Sequence, residues 1–190
     1  KIATLDASAS TGAVTATSVS TAAITMTGGS AADSLTANGT TASTLIGGAG
    51  ADTLTTNTGL TTLTGGAGND LFVIGGASAN GGIYTTISDA TAGDRIQLFG
   101  TGTEVWNSTA IALAGTASFS DYLNAASAGD GSTNAAISWF AFGGNTYIVE
   151  DASAGASFVA GTDAVVALTG VVDLSAASLN GAAAPILMIG

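Results

Sequence analysis

The chain has 190 residues, of which only 8% are charged, and its formal net charge is −11. Lys1 and Arg95 are its only basic residues and it has no His and no Cys; this argues against nucleic-acid binding, which needs basic side chains for phosphates, and excludes His-based catalysis, His-ligated zinc and thiolate chemistry within the chain. Such an acid excess suits a protein that takes up cations, and no apolar run approaches the ~20 residues of a membrane span.

The start, KIATLDASAS, lacks the charged region followed by an apolar stretch that marks a cleavable signal peptide. It begins on Lys rather than Met, as expected of a fragment or processed product. Residues 1–27 are rich in Ala, Thr and Ser, with apolar residues at Ile2, Leu5, Val14, Val19, Ile24 and Met26. Met26 lies nine residues before Leu35, and nine residues is also the spacing of the next apolar positions, Leu45, Leu54, Leu63 and Phe72, apart from one inserted residue. The segment reads as a degenerate solenoid lead-in.

From residue 28 the chain repeats. GGSAADSLT (28–36), NGTTASTLI (38–46), GGAGADTLT (47–55), TNTGLTTLT (56–64) and GGAGNDLFV (65–73) are five nonapeptides, with Ala37 inserted after the first. The sixth position runs Asp33, Ser43, Asp52, Thr61, Asp70, and the eighth runs Leu35, Leu45, Leu54, Leu63, Phe72. Each unit holds a six-residue turn and a three-residue strand. With a side-chain period of two, the eighth residues stack inward while Thr36, Thr53, Thr55, Thr62 and Thr64 face outward. The complete hexads recur after eighteen residues, so two nonapeptides make one turn of a parallel solenoid.

These residues resemble the RTX family, whose repeat is G-G-x-G-x-D-x-U-x. The pattern is complete at 47–55 and 65–73, lacks one Gly at Ala31 in 28–36, and is weak in the other two copies. The resemblance implies an all-β fold, a calcium-binding parallel β-roll in which strands alternate between two sheets and turns between two edges. It implies that calcium sits between successive turns of one edge, held by Asp carboxylates and turn carbonyls, hard oxygen ligands that suit this ion. The implied metal residues are Asp33, Gly47, Gly48, Ala49, Gly50, Asp52, Gly65, Gly66, Ala67, Gly68 and Asp70. One ion is expected between Asp33 and Asp52 and another between Asp52 and Asp70. The Ser43 and Thr61 edge is expected to be metal-free and closed by hydroxyl and amide hydrogen bonds.

Residues 81–98, GGIYTTISDATAGDRIQL, resemble the segment that closes such rolls, D-F-x-x-G-D-x-I-x-L after alternating apolar residues. Ile83, Thr85, Ile87 and Asp89 are followed by Gly93, Asp94, Ile96 and Leu98; Ala90 replaces the usual aromatic, and Tyr84 stands where Asp is common. Asp89, nineteen residues past Asp70, is expected near the same edge as a ligand to a third calcium. Asp94 caps the turn or lies beside Arg95.

Beyond residue 100 the sequence predicts a short helix in SFSDYLNAAS (118–127), where Ser118 and Asp121 form a capping box. A hairpin follows in AISWFAFGGNTYIVED (136–151), a strand in DAVVALTGVVDL (163–174) with a turn at Gly170, and a terminal strand in APILMIG (184–190). Residues Asp130–Asn134 mimic the start of an EF-hand, but Ala135 and Ala141 replace its Gly and Glu, which leaves a polar turn. Glu150 and Asp151 are a carboxylate pair with no nucleophile or base beside them, and Trp106 and Trp139 read as core. The tail resembles the C-terminal region of RTX proteins exported by type I secretion, including bacterial S-layer proteins, and the resemblance implies an uncleaved secretion signal near its end.

The expected organisation is a lead-in (1–27), an RTX β-roll with its closing segment (28–99), and a mostly β cap with one short helix and the secretion signal (100–190). The implied function is the non-enzymatic calcium-binding and secretion domain of an S-layer protein, with two or three Ca2+ ions as cofactors. The implied partners are the type I secretion apparatus in transit and further copies in a surface lattice. The implied location is outside a Gram-negative cell or on its surface. The alternatives are the secretion module of an exoenzyme, such as a protease or lipase, or an adhesin.

Overall fold

A computed structural model describes residues 3–39, 41–57, 60–76, 81–82, 84–100, 104–128, 136–180 and 184–190. Asp130–Asn134 lie outside the described residues. So do Ile2 and Ile83.

The repeats form a two-sheet parallel solenoid. One sheet takes β1 (Thr4–Asp6), β3 (Thr25–Thr27), β5 (Ser43–Ala49), β7 (Thr61–Ala67) and β9 (Thr85–Ile87). The other takes β2 (Thr15–Ser18), β4 (Ser34–Ala37), β6 (Thr53–Thr56), β8 (Leu71–Ile74) and β10 (Arg95–Gln97). Thr53 pairs with Leu71 and Ser43 with Thr61, the eighteen-residue step of one turn. The final turn is longer, Leu71 pairing with Arg95, because the connection from Ile74 to Thr85 has more residues than that from Thr56 to Thr61.

The inward residues form two facing columns. Leu5, Met26, Leu45, Leu63 and Ile87 stack in the first sheet. Ala16, Leu35, Leu54, Phe72 and Ile96 stack in the second. Leu35, Leu45, Leu54, Leu63 and Phe72 are all fully buried, each contributing about 1.5–3 kcal/mol of hydrophobic stabilisation. The threonines between them are half-buried or exposed. The described part of residues 1–27 continues the two sheets, to which β1, β2 and β3 belong. Val19 departs from the pattern: β2 places Ala16 inward, and Val19 begins the next turn, largely exposed.

The C-terminal segment extends both sheets. β14 (Ala164–Leu168) lies parallel to β9 and is followed by β13 (Asn145–Asp151), β12 (Ala136–Phe142) and β11 (Val105–Trp106). β16 (Ile186–Met188) lies antiparallel to β10, with β15 (Ser178–Asn180) beyond it. The hairpin between β12 and β13 turns on Gly143 and Gly144, whose φ values of 57° and 85° match the twist of antiparallel strands. One apolar core runs from Ile24 to Ile189, so lead-in, roll and cap share it. A second cluster, with Phe140, Tyr147 and Val149, is covered by helix α1 (Phe119–Ala126).

Helix α1 begins on the predicted capping box. The Ser118 backbone N–H donates to Asp121 Oδ2 at 2.8 Å, and the Asp121 N–H donates to Ser118 Oγ at 3.3 Å. Ser118→Ala is expected to lower stability by about 1 kcal/mol, measured as a shift in the urea midpoint.

Candidate metal centre

One edge of the solenoid is a column of four buried aspartates. The Asp33 N–H donates to Asp52 Oδ1 at 2.7 Å, the Asp52 N–H to Asp70 Oδ1 at 2.8 Å, and the Asp70 N–H to Asp94 Oδ1 at 2.8 Å. At the other end the Val14 N–H donates to Asp33 Oδ1 at 2.7 Å. Each carboxylate is thus oriented by the amide of the turn before it. None of the four is more than 3% exposed, so the acid groups are withdrawn from water along with the apolar columns.

Glycine makes this geometry possible. A side chain on Gly47 would overlap Asp52 Oδ2, and one on Gly65 would overlap Asp70 Oδ2, so each carboxylate occupies the space beneath the first glycine of its own repeat. Gly66 has φ +100°, and a Cβ there would collide with the Gly48 carbonyl oxygen. The turns pack this closely because their backbones pair directly, Gly48 with Gly66 and Ala49 with Ala67. The Gly50 N–H also donates to the Ala67 carbonyl at 2.8 Å. Asp52, Gly47, Gly48, Ala49 and Gly50 therefore lie against Asp70, Gly65, Gly66, Ala67 and Gly68 on a single edge.

The incomplete repeat is wired differently. The Gly29 N–H donates to Asp33 Oδ2, so both oxygens of that carboxylate accept a hydrogen bond. Asp52 Oδ2 is buried and has no hydrogen-bond partner. Burial raises the Asp52 pKa; the Asp33 amide opposes the shift, and the Asp33 charge adds to it. Asp70 is also raised, first by burial against the Asp52 amide, then by the charges of Asp94, Asp52 and Asp89. Of the chain's basic residues, Arg95 is exposed and Lys1 lies outside the described residues.

The fourth member of the column is Asp94, a refinement of the sequence expectation. Asp94 Oδ2 also accepts from the Thr91 N–H at 2.8 Å, which caps the closing turn as expected. Asp89 does reach the same edge, but from outside: its half-buried carboxylate accepts from the Gly65 and Gly66 amides at 2.9 and 2.8 Å. The sequence carried the distinguishing signal. Asp33, Asp52, Asp70 and Asp94 each have a buried apolar residue two positions later, namely Leu35, Leu54, Phe72 and Ile96, and Asp89 has Thr91. An inward residue at i+2 turns the side chain at i inward as well.

The opposite edge carries the expected hydroxyls. Ser43 Oγ accepts from the Ile24 N–H at 3.4 Å and donates to the Thr41 carbonyl at 3.3 Å. Thr56 Oγ1 donates to Thr61 Oγ1 at 2.9 Å. These neutral groups are satisfied locally, and among the described residues of this edge no charged side chain is buried with them.

The donor set of the aspartate edge fits a hard cation. It offers carboxylate oxygens, one of them an orphan, beside turn carbonyls. Among the described residues no three carboxylates converge on one point, so an ion held between turns would draw its remaining ligands from the backbone and water. Compared with known proteins, the chain matches no family model and no curated protein.

Proposed function

We propose that this chain is the C-terminal calcium-binding and secretion domain of a bacterial surface-layer protein, folding and assembling on extracellular calcium. The observation that carries the reading is the column of buried aspartates with Asp52 Oδ2 left unpartnered. A buried carboxylate without compensation is costly, and four in one column repel one another. The column amides aim the Asp33, Asp52 and Asp70 carboxylates, the glycines let the turns approach, and Asp52 faces both neighbouring turns. Calcium, when bound, supplies charge neutralisation and a tie between turns, so binding energy becomes folding energy.

Export follows from the same physics. In a low-calcium cytosol a Gly-rich chain of net charge −11 bears a large conformational entropy cost and its own repulsion. Its fold is then marginal, and the chain remains transportable. Outside the cell, sites with dissociation constants of ~10⁻⁴–10⁻³ M fill. The surface-layer part of the proposal is supported by a solenoid that runs through the described lead-in without a break, and by an outer face rich in threonine.

Calcium titration of the chelated protein, followed by far-ultraviolet circular dichroism and calorimetry, tests the proposal. The expected result is a cooperative gain of β-structure with at least two ions bound; zero ions in millimolar calcium overturns it. Electron microscopy of the parent protein with and without calcium tests the lattice, and the absence of ordered two-dimensional arrays removes the surface-layer assignment.

A further inference from the structure

A second pair of carboxylates lies far from the aspartate column, in the cap. Glu150, on β13, is fully buried. Its Oε1 accepts the Gly100 N–H at 2.9 Å. Its Oε2 is also buried and has no hydrogen-bond partner. Glu104, just before β11, is half-buried. A side chain at Gly100 would run into both Glu104 Oε1 and Glu150 Oε1, so the two carboxylates close on one point.

Beside Glu150 the backbone amides of Gly100 and Phe99 are the compensating groups, and its described acidic neighbours Asp163 and Asp151 are engaged elsewhere. Asp163, whose charge also bears on Glu150, has its own oxygens engaged by the Ala152 and Val159 amides at 3.0 and 2.7 Å. Asp151, next along β13, faces the opposite side of the sheet and accepts from the Ser153 N–H at 3.2 Å. The sequence expectation of a Glu150–Asp151 pair is corrected on this point, because adjacent strand residues point apart; the partner of Glu150 is Glu104.

We propose that Glu104 and Glu150 form a divalent-cation site of the calcium class, separate from the aspartate column. The ligands are hard oxygens: Oε1 of each glutamate lies at the shared point, the second oxygen of the Glu150 carboxylate is buried without a hydrogen-bond partner, and water completes the shell. Occupancy ties Glu104, just before β11, to β13, which lies two strands in from the β11 edge of its sheet. The site does not depend on the aspartate column binding metal.

Terbium, a luminescent stand-in for calcium, tests the site. Trp106, Ile137 and Glu150 form one row across β11, β12 and β13, which places Trp106 about 10 Å from Glu150. Tryptophan excitation of the full chain is expected to produce terbium emission that excess calcium abolishes. Glu150→Gln is expected to weaken that terbium binding at least about tenfold, because affinity follows ligand charge. Glu104→Gln is expected to do the same, and both variants should keep the wild-type circular dichroism. Asp52→Asn retains the signal. Wild-type emission that is absent, or that is unchanged in both glutamate variants, overturns the site and leaves a carboxyl pair that shares a proton.

Discussion

Asp52→Asn is expected to abolish most of the calcium response of folding while leaving the metal-free protein as stable as the wild type or more so. Asparagine keeps an oxygen for the Asp33 amide and removes a buried charge whose second oxygen has no partner. The metal-free fold therefore loses a cost rather than a support. In calcium the sign reverses. Asp52 adjoins the turns of both Asp33 and Asp70, so two sites lose a carboxylate. Each site at ten times its dissociation constant adds roughly 1.4 kcal/mol, which sets the expected loss at about 3 kcal/mol.

Asp33→Asn is expected to cost about half as much, since it touches one complete repeat and its Oδ2 already accepts the Gly29 amide. Calcium titration midpoints by circular dichroism, with urea midpoints in chelator alongside, check both variants. Equal calcium midpoints for the two would sink the argument.

The second large effect is on pH. With calcium chelated, stability is expected to fall as pH rises from about 5 to 8. The Glu150 carboxyl is pushed up from 4.5 to about 7, first by burial and then by the Glu104 charge and, more weakly, that of Asp163, against the Gly100 and Phe99 amides. The folded state then holds a proton that the unfolded chain releases. The stabilisation is present below the unfolded value of 4.5 and is lost as pH rises through about 7. The whole shift corresponds to about 3 kcal/mol. Asp52 and Asp70 are raised in the same direction, first by burial, so each adds a loss of the same sign that begins above 3.8. Glu150→Gln is expected to flatten the profile and to raise the urea midpoint at pH 8. A stability that rises with pH in chelator would contradict the assignment.

Calcium opposes this loss in the proposed function, because cations take the place of the protons that the carboxylates release. The fold is then weakest in metal-free neutral solution, the condition that favours an exportable chain, and firmest where millimolar calcium is present. Both experiments read the same balance, one through the cation and the other through the proton.

The repeat pattern alone determined the two sheets, the alternation of buried Leu and outward Thr, and the placing of Asp33, Asp52 and Asp70 on one edge with Ser43 and Thr61 on the other. This was possible because every contact in a solenoid joins a residue to its counterpart one turn away, so the spacing along the chain is also the spacing in space. The cap obeys no such period. That β14 would lie beside β9 and β16 beside β10 depended on chain reversals whose register is set by packing. The choice of Asp94 over Asp89 was legible only in the residue two places on, and the longer connection before β9 had obscured the count. The approach of Glu104 to Glu150 had no local signal. The register that places Trp106, Ile137 and Glu150 in one row, and the fold of the chain over Gly100, bring those two carboxylates together only once the sheets have closed on their shared core.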